Sequence, residues 1–121
     1  MRWLVVGDMP GEVREALVRH GHTASTPAEA GMAESLTHAE LLSAAHQKQF
    51  DVLTNVPELA NVLFEQPVKF IRTLVFLQLK GQAVEQDDAI DRLFTRYKRM
   101  ATGRLYTVTE TRVKVRQLPG H

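Results

Sequence analysis

The sequence has no cysteine, one tryptophan and two tyrosines among 121 residues, and aromatic side chains make up only 7% of it. Without cysteine there is no disulfide framework, no thiolate zinc site and no cysteine nucleophile. Platforms for stacking bases are scarce too, so sequence-specific reading of RNA is not indicated. Long apolar runs are missing: Leu74-Val75-Phe76-Leu77, among the purest, is far short of a membrane span. At the N-terminus, Arg2-Trp3-Leu4-Val5-Val6 gives way at once to Gly7-Asp8, which is no signal pattern. A cytoplasmic protein with no membrane partner is expected. No glycine-rich loop follows a strand and no G-x-S-x-G elbow exists, which removes a phosphate loop and a serine hydrolase. The five histidines lack ligand spacing; His38 and His46 stand eight apart rather than four.

What is present is an ordinary globular composition, 44% hydrophobic and 24% charged, at a length that fits one domain over residues 1–121. The net charge of +1 hides a split. Residues 1–91 hold 7 Lys/Arg against 13 Asp/Glu, whereas residues 92–121 hold 8 Lys/Arg against Glu110 alone. A polyanionic partner such as RNA is therefore an open expectation. Part of the split follows from helix-dipole complementarity, with acids early and bases late in one long helix.

Strand-like and helix-like periods alternate along the chain. Trp3–Val6 reads as a strand buried on both faces, and Pro10 opens a helix that Gly21 stops. His22–Ser25 is a brief extended segment, and 26–36 is a loop or short helical turn. Thr37-His38-Ala39-Glu40 is a capping-box pattern that starts a helix running to Gln49. Phe50–Thr54 is a second core strand, Pro57–Phe64 a short helix, and Arg72–Leu79 the strongest strand. Lys80–Gln82 turns into a long helix over 84–102 that ends at Gly103. Arg104–Thr109 and Arg112–Leu118 form a terminal hairpin. The pattern predicts a three-layer α/β domain with a mostly parallel central sheet and a C-terminal β-hairpin.

Sites in such sheets lie beyond the carboxyl ends of the strands. There stand Gly7-Asp8-Met9-Pro10 and Thr54-Asn55-Val56-Pro57-Glu58, with Glu40 opening the helix between them. Asp8, Glu40 and Glu58 with Asn55 could hold a hard cation, which prefers oxygen ligands. Helix capping accounts for the same three acids: Asp8 ahead of Pro10, Glu40 behind Thr37, and Glu58 three residues after Asn55. In the last strand Arg112, Lys114 and Arg116 alternate with Val113 and Val115. That is either a phosphate-tracking stripe, helped by Arg96, Arg99 and Arg104, or a solvated face with its valines inward.

The Leu4–Pro10 opening, the Gly21-His22 step, Thr37-His38-Ala39-Glu40-Leu41-Leu42, Asp51-Val52-Leu53-Thr54-Asn55 and the closing stretch from Arg112 to Pro119 appear in a suggestive order. Over nearly its whole length the chain resembles the PIN-domain nuclease superfamily, and within it the small bacterial PIN-like proteins of unknown function related to VapC-type toxins. The resemblance implies a PIN-like fold and Mg²⁺- or Mn²⁺-dependent hydrolysis of RNA. Asp8, Glu40 and Glu58 would then be the catalytic acids, Asp8 and Glu58 the metal ligands, and Thr54 and Asn55 would orient the site. The chain departs from the family where the leading acid is replaced by Val6, the first Asp of the Thr-Asn-Asp stretch by Val56, and a helix-opening Asp by His38. Valine ligates nothing, so the resemblance points to a nuclease centre that is impaired or lost. The alternative expectation is a non-catalytic module that binds RNA or an antitoxin-like protein. A third is a homodimer formed through apolar surface from Val56 to Phe64. A phospho-receiver domain would need an acceptor Asp where Thr54-Asn55-Val56 stands.

Overall fold

The computed structural model describes residues 1–79 and 83–119. In chain order the elements are β1 (Arg2–Val6), α1 (Gly11–Arg19), β2 (Thr23–Ser25), α2 (His38–Gln47), β3 (Asp51–Thr54), α3 (Pro57–Glu65), β4 (Leu74–Leu77), α4 (Ala83–Arg96), β5 (Arg104–Val108) and β6 (Val113–Gln117). They build one six-stranded sheet in the order β2-β1-β3-β4-β5-β6. The first five strands are parallel, and β6 turns back antiparallel on β5. The α/β class, the mostly parallel sheet and the terminal hairpin are those expected. The proposed turn at Lys80–Gln82 lies outside the described residues.

Continuous apolar runs arise because both faces of the sheet are covered. Leu4, Val52 and Leu74 point to one core, shared with Leu42 of α2 and Leu59 and Leu63 of α3. Their strand neighbours Trp3, Val5, Leu53 and Val75 point to the other, shared with Val13 and Leu17 of α1 and Ile90 and Leu93 of α4. This is the period-two alternation of a strand converted into three layers. No helix among the described residues is long and apolar enough to cross a membrane.

Local signals explain most element ends. After α1, Gly21 has φ +83°, its N–H donates to Val18 O, and the His22 N–H donates to Leu17 O at 3.0 Å. These are the two bonds of a Schellman motif, in which glycine removes the Cβ penalty. The Thr37–Glu40 capping box forms in both directions, at 2.9 and 3.1 Å. The other two capping expectations fail. Pro10 is the N-cap of α1 and Val56 the N-cap of α3, each without a side-chain hydrogen bond.

The last helix stops at Arg96 rather than near residue 102. Beyond it the chain is held by tertiary bonds. The Ala101 N–H donates to the Tyr106 hydroxyl at 3.1 Å, and Thr73 Oγ1 donates to Ala101 O. Gly103, at φ +75°, donates to Arg72 O and accepts from the Leu118 N–H. Lys98 and Arg99 thus lie past the helix end, so dipole complementarity covers less of the basic cluster than its sequence suggests.

The apolar stretch after Val56 is no exposed surface. Leu59, Ala60, Val62 and Leu63 are all buried, and Phe64 packs against the same core.

Candidate functional site

The chain leaves β1 toward α1 on one face and leaves β3 toward α3 on the other. Adjacent parallel strands with diverging exits make the switch point at which doubly wound sheets bind ligands. The residues at this point mostly bind one another. Thr54, fully buried, donates from Oγ1 to Val6 O at 2.8 Å and accepts from the Val56 N–H at 3.0 Å. Asn55 Nδ2 donates to Asp8 O at 3.0 Å. Gly7 takes φ +116°, and a Cβ there would sit 2.1 Å from Asn55 Oδ1. The two strand ends are therefore laced through their backbones. Val6 and Val56 lean on the core shared with α2 and α3.

The expected acids are not gathered around this point. Asp8 is exposed, with Asn55 gripping its carbonyl rather than its carboxylate. Glu40 is spent on the capping box, where the Thr37 N–H holds its carboxyl below the usual range. Glu58, in the first turn of α3, faces a cleft of about 410 Å³ between α2 and α3. His38, Asn61 and Glu65 line that cleft with it. Of the expected acids only Glu58 lines this cleft, beside His38, which stands where the resemblance implies an Asp; Asp8 and Glu40 do not line it. The implied trio is not among the described acid groups whose ligand atoms lie within 4.8 Å of one another, and valines stand at both strand ends. The residues present do not fit a hard-ion centre, which needs several converging oxygens.

Among the described residues, one group of acids does bring its ligand atoms within 4.8 Å: Asp87, Asp88 and Asp91 of α4. Arg19 occupies it. Its Nη2 lies 2.6 Å from Asp87 and 2.9 Å from Asp91, and His20 Nε2 is 2.7 Å from the same Asp91 oxygen. The Arg19 guanidinium, followed by His20, keeps the Asp91 carboxyl below its ordinary range. These acids clamp α1 to α4. The i, i+4 spacing of Asp87 and Asp91 was visible in the sequence, but their partner about 70 residues earlier was not.

The register with β5 fixes the faces of the hairpin. Leu105 lies opposite Arg116 and belongs to the α2/α3 core, whereas Tyr106 lies opposite Val115 and belongs to the α1/α4 core. Alternation then puts Lys114 and Arg116 on the α2/α3 side, whereas Arg112 lies just before the strand begins. Arg116 stacks on the Phe64 ring of α3 at 3.9 Å. Val113 and Val115 share the α1/α4 side, where Val113 is half-buried and Val115, at the sheet edge, is 43% exposed. Arg104, opposite Gln117, falls on the other side of the sheet from the stripe. Of the supporting cations, Arg96 is the one that meets Arg112, in a cleft between α4 and the hairpin.

A titratable cluster lies at the opposite end of β1. His22 packs on Phe94 at 4.5 Å, and the N-terminal amino group of Met1 lies 3.0 Å from His22 Nδ1. Burial pushes the His22 pKa down, and the amino terminus and His20 push it further. The unfolded chain then binds more protons than the folded one, so stability rises with pH. The loss should begin as pH falls below the ordinary histidine value of about 6.5. Melting temperature measured from pH 8 to pH 5.5 should drop for the wild type and drop less for His22→Gln. Parallel curves would remove His22 as the cause.

Compared with protein-family models, curated proteins and solved structures, the chain matches none.

Proposed function

We propose that the chain is a PIN-like protein that has given up its metal centre and acts as a non-catalytic RNA-binding module. The observation that carries this reading is the switch point itself. Where a nuclease of that family concentrates carboxylates, Val6 and Val56 stand, and Thr54 and Asn55 are committed to backbone carbonyls at 2.8 and 3.0 Å. The basic stripe on β6 supports RNA as the partner. Lys114 and Arg116 stand two residues apart on one face of an exposed edge strand. That separation is about 6.8 Å, close to the spacing of successive phosphates along an extended strand.

Two measurements test this. RNA incubated with Mn²⁺ should be cleaved no faster by the wild type than by Asp8→Ala. Cleavage that Asp8→Ala abolishes would restore the enzyme reading. In fluorescence anisotropy with single-stranded RNA, Lys114→Glu/Arg116→Glu should weaken binding. It should also flatten the dependence of log K on log salt by roughly 1.4, from two lost phosphate contacts. A double variant that binds like the wild type would sink the RNA reading.

A second reading, an antitoxin-like protein partner, draws on the free edge of β6. Residues 114–117 are all exposed there, and an unpaired edge is a template for an added strand.

A further inference from the structure

The clefts flanking Arg92 differ sharply in charge. Toward the strand ends, one of about 530 Å³ is lined by Glu85, Asp88, Asp91 and Glu110 with Arg92. On the side of the hairpin, one of about 440 Å³ is lined by Arg92, Thr95, Arg96, Thr111 and Arg112, together with Asp91. Arg92 and Arg96 are four residues apart on α4 and share a helix face. Arg112 reaches the same cleft from the hairpin. Arg92 is positioned by a hydrogen bond from Nη2 to Thr109 O at 3.2 Å.

Arg92, Arg96 and Arg112 all line this one cleft, and their like charges disfavour one another unless an anion joins them. The single carboxylate present, Asp91, already accepts from Arg19 and His20. The ion pairs found among the described residues use none of Arg92, Arg96 and Arg112. Guanidinium forks match tetrahedral oxyanions in a bidentate way, and threonine hydroxyls add neutral donors.

We infer that the cleft between α4 and the β5–β6 hairpin binds a phosphate group. Arg96 and Arg112 hold its oxygens, with Thr95 and Thr111 alongside. The site does not rest on the RNA reading, because a phosphate is common to an RNA strand and to a free phosphate compound.

The full chain is titrated with pyrophosphate by calorimetry and with a short single-stranded RNA by anisotropy. Arg96→Gln and Arg112→Gln are compared with Arg104→Gln, which changes an exposed cation that is not among the residues lining the cleft. Each cleft variant should weaken pyrophosphate about ten-fold, the scale of one charged hydrogen bond, with Arg104→Gln unchanged. If RNA binding falls in step, the phosphate comes from the RNA backbone. If pyrophosphate alone responds, a free phosphate compound is the ligand and the site stands, while the RNA reading is decided separately by the Lys114→Glu/Arg116→Glu variant. Wild-type protein that binds neither probe overturns the site. So do cleft variants that bind both probes normally, and an equal loss in Arg104→Gln.

Discussion

Gly7→Ala should lower the unfolding free energy by about 3 kcal/mol, from a strained positive φ (about 1–3) and a displaced hydrogen bond (about 1). Gly7 holds φ +116°, a region that L side chains rarely adopt, and the added methyl would fall 2.1 Å from Asn55 Oδ1 and 3.1 Å from Val56 Cγ2. The amide would have to turn away from Asp8 O, which unlaces β1 from β3. Urea denaturation of Gly7→Ala, Asn55→Ala and the double variant separates the two causes. If collision with the amide dominates, the cost of Gly7→Ala shrinks in the Asn55→Ala background; if backbone strain dominates, it persists. A loss below about 0.5 kcal/mol, the range of ordinary surface substitutions, would mean that neither constraint operates.

Asp51→Ala should cost a similar amount from a different cause. Asp51 is 2% exposed at the start of β3, and its Oδ1 accepts from the Thr73 N–H at 2.9 Å just before β4. Its Oδ2 lies 3.6 Å from Arg72 Nη2. The Val52 N–H closes the same junction by donating to Thr73 O at 3.0 Å. Truncation would leave a buried N–H without its acceptor, worth about 1–3 kcal/mol, and strip the half-buried Arg72 of its counter-charge. Asp51→Asn keeps an acceptor oxygen and loses the charge, so it should cost about half as much. Chemical denaturation ranks them. Equal losses in Ala and Asn would assign the effect to the charge instead of the hydrogen bond.

The layering of the fold was legible because its causes are local. Trp3, Leu4 and Val5 are consecutive and apolar, which a strand tolerates only when both faces are covered. Gly21 and the Thr37–Glu40 pair mark helix ends through bonds spanning a few residues. The end of α4 was not legible, since it depends on Tyr106 and Thr73 capturing Ala101 from outside the helix. The candidate site was legible in composition but not in geometry. Asp8, Glu40 and Glu58 stood at the right ends of the right elements, yet side-chain direction decides convergence. Direction at Asp8 follows from the φ of Gly7 and the grip of Asn55, neither of which a pattern of residue types encodes. The charge of the α4–hairpin cleft escaped for a related reason. Arg92 and Arg96 looked like dipole partners until the hairpin brought Arg112 beside them.

The pairing of α1 with α4 bears on how the chain emerges from a ribosome. Those two helices alone among the described ones cover the face formed by Trp3, Val5, Leu53 and Val75. When β4 has just been made, α1 can shield only part of that face, and Arg19 has neither Asp87 nor Asp91 to hold. The greasy side of the nascent sheet stays wet until about residue 96 clears the exit tunnel. Folding is thereby deferred until α4 has emerged, and a nascent chain stalled after β4 is a natural client for a chaperone.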